Sequence, residues 1–295
     1  MKVREPNHTA NTGGNFGSDV RLAVERGRCG GSGEGRAAAS DCYHRAVSRI
    51  SRRDVLKRVA AAPVVLVGLV SSPRAGAANI AGMSVFLDPG HNGVADASIN
   101  RQVPNGRGGT KPCNTSGTAA NDGYPEHAFT WEVTNMVAAN LNGMGVNTQL
   151  SRGDDNSAGP CIDDRAAHAN NARPDAIVSI HADGGPASGR GFHVNYSSPP
   201  LNASQSGPSL QLAEAMRSAL IGAGFQPSNY VGSGGLYGRA DLAGLNFAEY
   251  PAVLVELGNM KNAEDAALIE SPDGRARYAA AVTQGIVNYL QAKPG

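Results

Sequence analysis

Beyond residue 80 the chain alternates short apolar runs with longer stretches whose apolar positions recur at helical spacing. Ser84–Leu87 reads as a first strand, Val146–Leu150 as a second, Ala176–Ile180 ("AIVSI") as a buried third, and Gly191–Tyr196 and Ala252–Val255 ("AVLV") as two more. Between them Phe129, Val133, Met136, Val137 and Leu141 mark a helix that starts near Glu126, with Pro125 suited to its first turn and Gly143 and Gly145 closing it. Further helices are expected over Ile162–Ala172, Leu210–Ile221, Ala263–Glu270 and Arg275–Leu290; Asp163 and Asp164 stand in the first turn of Ile162–Ala172, where the helix dipole favours acid. Asn92–Tyr124 follows neither period. It is rich in Gly, Asn, Thr and Ser and is long enough to carry function of its own. Alternating strands and helices predict an α/β fold: a twisted, mostly parallel sheet flanked by helices in a single domain.

The first quarter breaks this pattern. Residues 1–50 are Gly-, Ser-, Arg- and Ala-rich with no apolar run, and are expected to be a disordered extension. Residues 51–77 open on Ser51-Arg-Arg-Asp-Val-Leu-Lys57, continue through a modest apolar run from Val59 to Val70, and reach Ala75-Gly-Ala77. Charge, a short apolar core and small residues in that order predict an export signal, and the paired arginines resemble those of twin-arginine signals. The apolar run is too short to span a bilayer, which takes about 20 residues, so membrane contact is expected only through this signal. The folded domain is then 78–295.

Charge divides at the same place. Residues 1–77 hold 13 Lys/Arg and 6 Asp/Glu, a net +7, whereas 78–295 hold 13 and 19, a net −6. An acidic domain argues against nucleic acid, which requires a basic footprint. Of four cysteines, Cys29 and Cys42 precede the cut, leaving Cys113 and Cys161 as an even pair in an exported domain; a disulfide between them is expected, the alternative being two unrelated thiols.

Three strand-like runs end at a residue able to act beyond a sheet edge, where ligands of open α/β sheets gather. These are His91 after "FLDPG", His181 after "AIVSI" and Glu256 after "AVLV". His168 sits in a helix and His193 inside a strand, so both read as structural; His127, beside Glu126, is a candidate contact. Two imidazoles, one carboxylate and an open position make a catalytic zinc site. Glu126, at a helix start after the long loop, is chosen as the carboxylate, with Glu132 as the alternative. Helix-borne HExxH and HxxEH motifs are absent, so such ligands come from separate segments.

The segments "FLDPGHNG", "YPEHAF", "AIVSIHADGG" and "YPAVLVELGNMKN" resemble, in order, those of the type-3 zinc-dependent N-acetylmuramoyl-L-alanine amidases. The likeness runs through nearly all of residues 83–290, and the "GRGGT" loop and the two cysteines are most similar to single-domain mycobacterial members. It implies one zinc ion per chain held by His91, Glu126 and His181, with Glu256 as the catalytic glutamate. It also implies a substrate in peptidoglycan or its muropeptide fragments; a monomer is expected, and the export signal predicts a place outside the cytoplasm, in periplasm or cell wall/extracellular. Asp88 is expected to fix the turn before His91, and Asp183 to orient a ligand. The long loop is expected to act as a flap tied down by Cys113. A non-catalytic wall-binding protein, a peptidase and a deacetylase are the rival readings.

Overall fold

The computed structural model describes residues 79–94 and 96–293; the extension, the export segment and its cleavage site lie outside them. Within that range the strands are β1 (Ser84–Pro89), β2 (Gln102–Pro104), β3 (Thr110–Pro112), β4 (Asn147–Leu150), β5 (Ala176–Asp183), β6 (His193–Ser197), β7 (Leu236–Arg239) and β8 (Ala252–Asn259). The helices are α1 (Glu126–Gly143), α2 (Ile162–Ala172), α3 (Ala203–Ser206), α4 (Pro208–Gly222), α5 (Ala243–Phe247), α6 (Ala263–Glu270) and α7 (Pro272–Ala292). One six-stranded sheet has the order β4-β1-β5-β8-β6-β7. Its pairs are parallel except β6–β8, which is antiparallel.

Side chains alternate across each strand, so the two faces of the sheet differ. Val85 and Leu87, Val178 and Ile180, and Val253 and Val255 face one side, where Phe129, Val133, Val137 and Leu141 of α1 pack with α4 and α7 in the main core. Phe86, Ile177 and Ala252 face the other and meet Ala169 of α2, Leu245 and Ala248 in a smaller cluster, edged by the partly buried Ala172, Leu242, Tyr250 and Leu254. Asp88, Ser179, His181 and Glu256 share the parity of this second face. The first face supplies rigidity, and the lightly covered second face leaves room for chemistry at the strands' C-terminal ends.

The helices begin where local chemistry stops the strands. Asn262 caps α6 by accepting from the N–H groups of Glu264 and Asp265, and Ser271 caps α7 by accepting from Gly274 N, with Pro272 in its first turn. Pro125 is the N-cap of α1 rather than its first helical residue. Two strands run further than their apolar letters: β5 passes through His181 to Asp183 and β8 through Glu256 to Asn259. Backbone pairing does not need apolar side chains, and the ladder continues until a bulge between His181 and Asp183. The long loop is also more ordered than its composition implied. It holds a 3₁₀ turn at Ala97–Asn100 and the antiparallel β2–β3 hairpin. The Cys113–Cys161 disulfide is formed, joining the end of that hairpin to the N-cap of α2.

Candidate active site

His91 follows β1 in a left-handed backbone conformation, with φ at 62°. Such a residue needs outside support, and Arg165 of α2 provides it by donating to the His91 carbonyl at 2.8 Å and to the Asn92 side chain. Gly90 N is bonded to Ile180 O on the neighbouring strand. The turn is thereby anchored to both α2 and β5, and the imidazole projects beyond the sheet.

Glu126 is the first residue of α1 and is buried. Its N–H bonds to Thr118 O, and its Oε2 accepts from Thr118 N at 2.9 Å, which docks the end of the long loop onto the helix start. Oε1 accepts from Ala182 N at 3.1 Å. The same two oxygens meet the imidazoles: Oε2 lies 3.0 Å from His91 Nε2 and Oε1 3.0 Å from His181 Nδ1. The rings stand edge to face with centroids 4.8 Å apart. One donor atom from each of His91, Glu126 and His181 falls within 4.8 Å of the others.

The electrostatics suit a cation. His91 Nδ1 is 2.9 Å from the Thr115 carbonyl, which only accepts, so Nδ1 carries the proton and a neutral ring aims its Nε2 lone pair at a carboxylate. A ring lone pair and a carboxylate oxygen 3.0 Å apart form a place suited to a positive charge. Burial opposes charging His91, yet Glu126 outweighs it and raises the imidazole above its ordinary value. Burial likewise pushes Glu126 up, while His91 and His181 hold its carboxyl well below the usual range. Two imidazoles and a carboxylate are the donor set of catalytic zinc sites, and here they converge from β1, α1 and β5.

Glu256 stands beside this group. It pairs in register with His181 on one side and with His193 on the other, which puts the three on one face in a row across β5, β8 and β6. Glu256 Oε2 has no protein partner. Burial first, and then the nearby charges of Glu126 and Asp183, raise its carboxyl well above the ordinary glutamate value, with Arg239 only partly offsetting them. A buried carboxyl with a raised proton affinity has the chemistry of a general acid–base group.

Other sequence candidates resolve differently. His127 is bound by Asp155 at 2.8 Å and lies outside the His–Glu–His group, and Glu132 pairs with Arg275 at 2.6 Å. Asp183 accepts from Tyr230 Oη at 2.8 Å. Asp88 does more than hold a turn, since it meets Ser151, Arg165 and Ser179 at 2.5, 2.7 and 2.6 Å. Sequence reasoning missed the wall beyond Glu256, where His193 packs edge-on against Tyr230 and Tyr237. No local pattern marks it, because its members come from β6, β7 and the loop between α4 and β7.

A profile described as N-acetylmuramoyl-L-alanine amidase matches residues 85–288. An N-acetylmuramoyl-L-alanine amidase of Mycobacterium tuberculosis is 64% identical over 222 residues, which cover 75% of this chain and 92% of that protein. Among solved structures, the N-acetylmuramyl-L-alanine amidase of Mycobacterium smegmatis is 63% identical with a TM-score of 0.73, covering 73% of this chain and 100% of that one. The apo form from Mycobacterium abscessus is 63% identical with a TM-score of 0.71, covering 72% and 100%.

Proposed function

The chain belongs to the N-acetylmuramoyl-L-alanine amidase family, and from that premise we propose that one zinc ion is held by His91, Glu126 and His181 while Glu256 moves the protons. The reaction is hydrolysis of the amide between N-acetylmuramic acid and L-alanine in peptidoglycan or its fragments. The observation that carries the reading is convergence: donor atoms from three separate segments lie within 4.8 Å of one another, with Glu256 in register beside one of them.

Zinc in a His₂Glu set supplies Lewis acidity, polarising a carbonyl and acidifying water toward a pKa of about 7. The remaining work falls to the chain. His91 and His181 present ring nitrogens toward Glu126, and Glu126 is fixed from behind by Thr118 N and Ala182 N. Glu256 accepts the proton of the attacking water at Oε2, the oxygen free of protein partners, and returns it to the leaving amine of L-alanine. Proton transfer of this kind contributes about 10²–10⁴-fold in rate.

We further assign residues 51–77 as an export signal, the enzyme's place as outside the cytoplasm, and its working form as a monomer. N-terminal sequencing of the exported protein checks the first two, and light scattering the third.

The deciding experiment is a muropeptide digest followed by mass analysis, with metal content measured in parallel. Release of intact stem peptide is expected. Shortened peptide would identify a peptidase, loss of acetate a deacetylase, and an unchanged substrate a binding protein. His181→Ala should lose zinc and activity together; zinc retained in full would require another ligand set.

A further inference from the structure

His181 Nδ1 faces Glu126, and its other nitrogen, Nε2, lies 3.1 Å from Ser179 Oγ. Ser179 Oγ in turn lies 2.6 Å from Asp88 Oδ2. The direction of this chain follows from what each group can do. An ionised carboxylate only accepts, so Ser179 donates its one proton to Asp88. The Ser179 oxygen is then left as an acceptor, and the proton between it and His181 must sit on Nε2. A ring protonated at Nε2 offers Nδ1, and no other atom, to a metal.

Asp88 is suited to end such a chain. Its other oxygen, Oδ1, is taken by Ser151 Oγ at 2.5 Å and Arg165 at 2.7 Å. Burial pushes the Asp88 carboxyl upward, but Arg165, Ser151 and Ser179 outweigh it and hold it well below the usual range. Arg165 also bonds the carbonyls of Pro89 and His91, both at 2.8 Å, so the carboxylate behind His181 is braced by the guanidinium that supports the His91 turn.

We propose that Ser179 and Asp88 are positioning residues that fix the tautomer and ring orientation of His181, keeping Nε2 protonated and Nδ1 turned toward Glu126. The inference rests on the zinc reading for its purpose and not for its geometry. Without the hydroxyl, a neutral His181 gains more by protonating Nδ1 and donating to Glu126, which places a proton where the metal has to bind. Partners of this kind are worth about 10–100-fold in metal affinity when removed.

The test uses the metal-free and zinc-loaded protein with ¹⁵N-labelled histidine, His181 being assigned by difference from His181→Gln. In the metal-free wild type, the neutral His181 ring should carry its proton on Nε2. In Ser179→Ala it should move to Nδ1, and zinc affinity measured against a competing chelator should fall about 10–100-fold. Ser179→Thr keeps the hydroxyl and should restore both, Ser179 bordering a largely apolar cavity of about 170 Å³. Ser179→Ala with an unmoved proton and wild-type zinc affinity would overturn the proposal, as would a wild-type ring protonated on Nδ1, a result that needs no variant to fold. Wild-type protein that binds no zinc would sink the metal reading and leave the proton's position to decide this one.

Discussion

A Cβ built on Gly90 would fall 2.2 Å from Cε1 of His181, and one on Gly117 would fall 2.7 Å from Glu126 Oε2 and 2.8 Å from His91 Cδ2. Both glycines are contact surfaces for the site, and at Gly117, with φ at 77°, backbone strain adds to the clash. Gly90→Ala is therefore expected to displace the His181 ring and lower zinc binding and amidase activity together, with thermal stability as the control. Glu256 answers to a different test. Glu256→Gln should retain near-stoichiometric zinc while turnover falls at least about 10²-fold, the lower end for proton-transfer catalysis; full activity would remove Glu256 from the reaction. His193 carries a pH prediction. Burial lowers its imidazole from 6.5 to about 4, so the unfolded chain binds a proton over that window and the native state does not. Stability should fall as pH drops from 6.5 toward 4, by about 2–3 kcal/mol at pH 4.5. His193→Gln should flatten that slope by about one proton in urea unfolding at the two pH values.

At the scale of elements, the decisive joint lies between the β2–β3 hairpin and α2. Cys113 and Cys161 are 48 residues apart and are bonded, closing a loop worth about 4 kcal/mol on the chain-entropy model and less if native strain intervenes. The double Cys→Ser variant should lose up to that amount in denaturant unfolding, an effect mimicked by reductant in the wild type and absent when reductant is added to the variant. The hairpin also leans on the rest of the fold. Arg107 Nε donates to Asn246 Oδ1 at 2.9 Å, its guanidinium reaches Ser197 Oγ at 3.1 Å, and Lys111 Nζ reaches the Asp241 carbonyl at 2.8 Å. These contacts cross 90 or more positions of sequence. They explain why a segment without periodicity is ordered: its partners are side chains supplied from elsewhere, which no local pattern announces.

Across the whole molecule, the two faces of the sheet divide stability from chemistry. The main core unites β1, β5 and β8 with α1, α4 and α7, and among the described residues its members run from Ile80 to Leu290. A chain beginning at residue 78 is thus expected to fold cooperatively and to match the full chain in muropeptide hydrolysis per mole of zinc, checked by circular dichroism melting and the same digest. Among the described residues no helix is long and apolar enough to cross a membrane.

The helical spacing of Phe129, Val133, Val137 and Leu141 and the runs "VFL", "AIVSI" and "AVLV" carried the layered α/β architecture, because burial against one sheet face imposes its period directly on the letters. His91, His181 and Glu256 were legible because each follows an apolar run, although β5 and β8 continue past His181 and Glu256. Strand ends, the hairpin, β7 and the short helices α3 and α5 were not, since backbone hydrogen bonds and long-range side-chain partners form them without a local signature. Nor could linear order disclose that Asp88 reaches His181 through Ser179, that Asp183 serves Tyr230, or that His127 belongs to Asp155. Those pairings depend on which strands lie side by side and in what register. Hydrophobic periodicity is a property of the chain, whereas the meeting of polar groups far apart in sequence exists only once the sheet has closed.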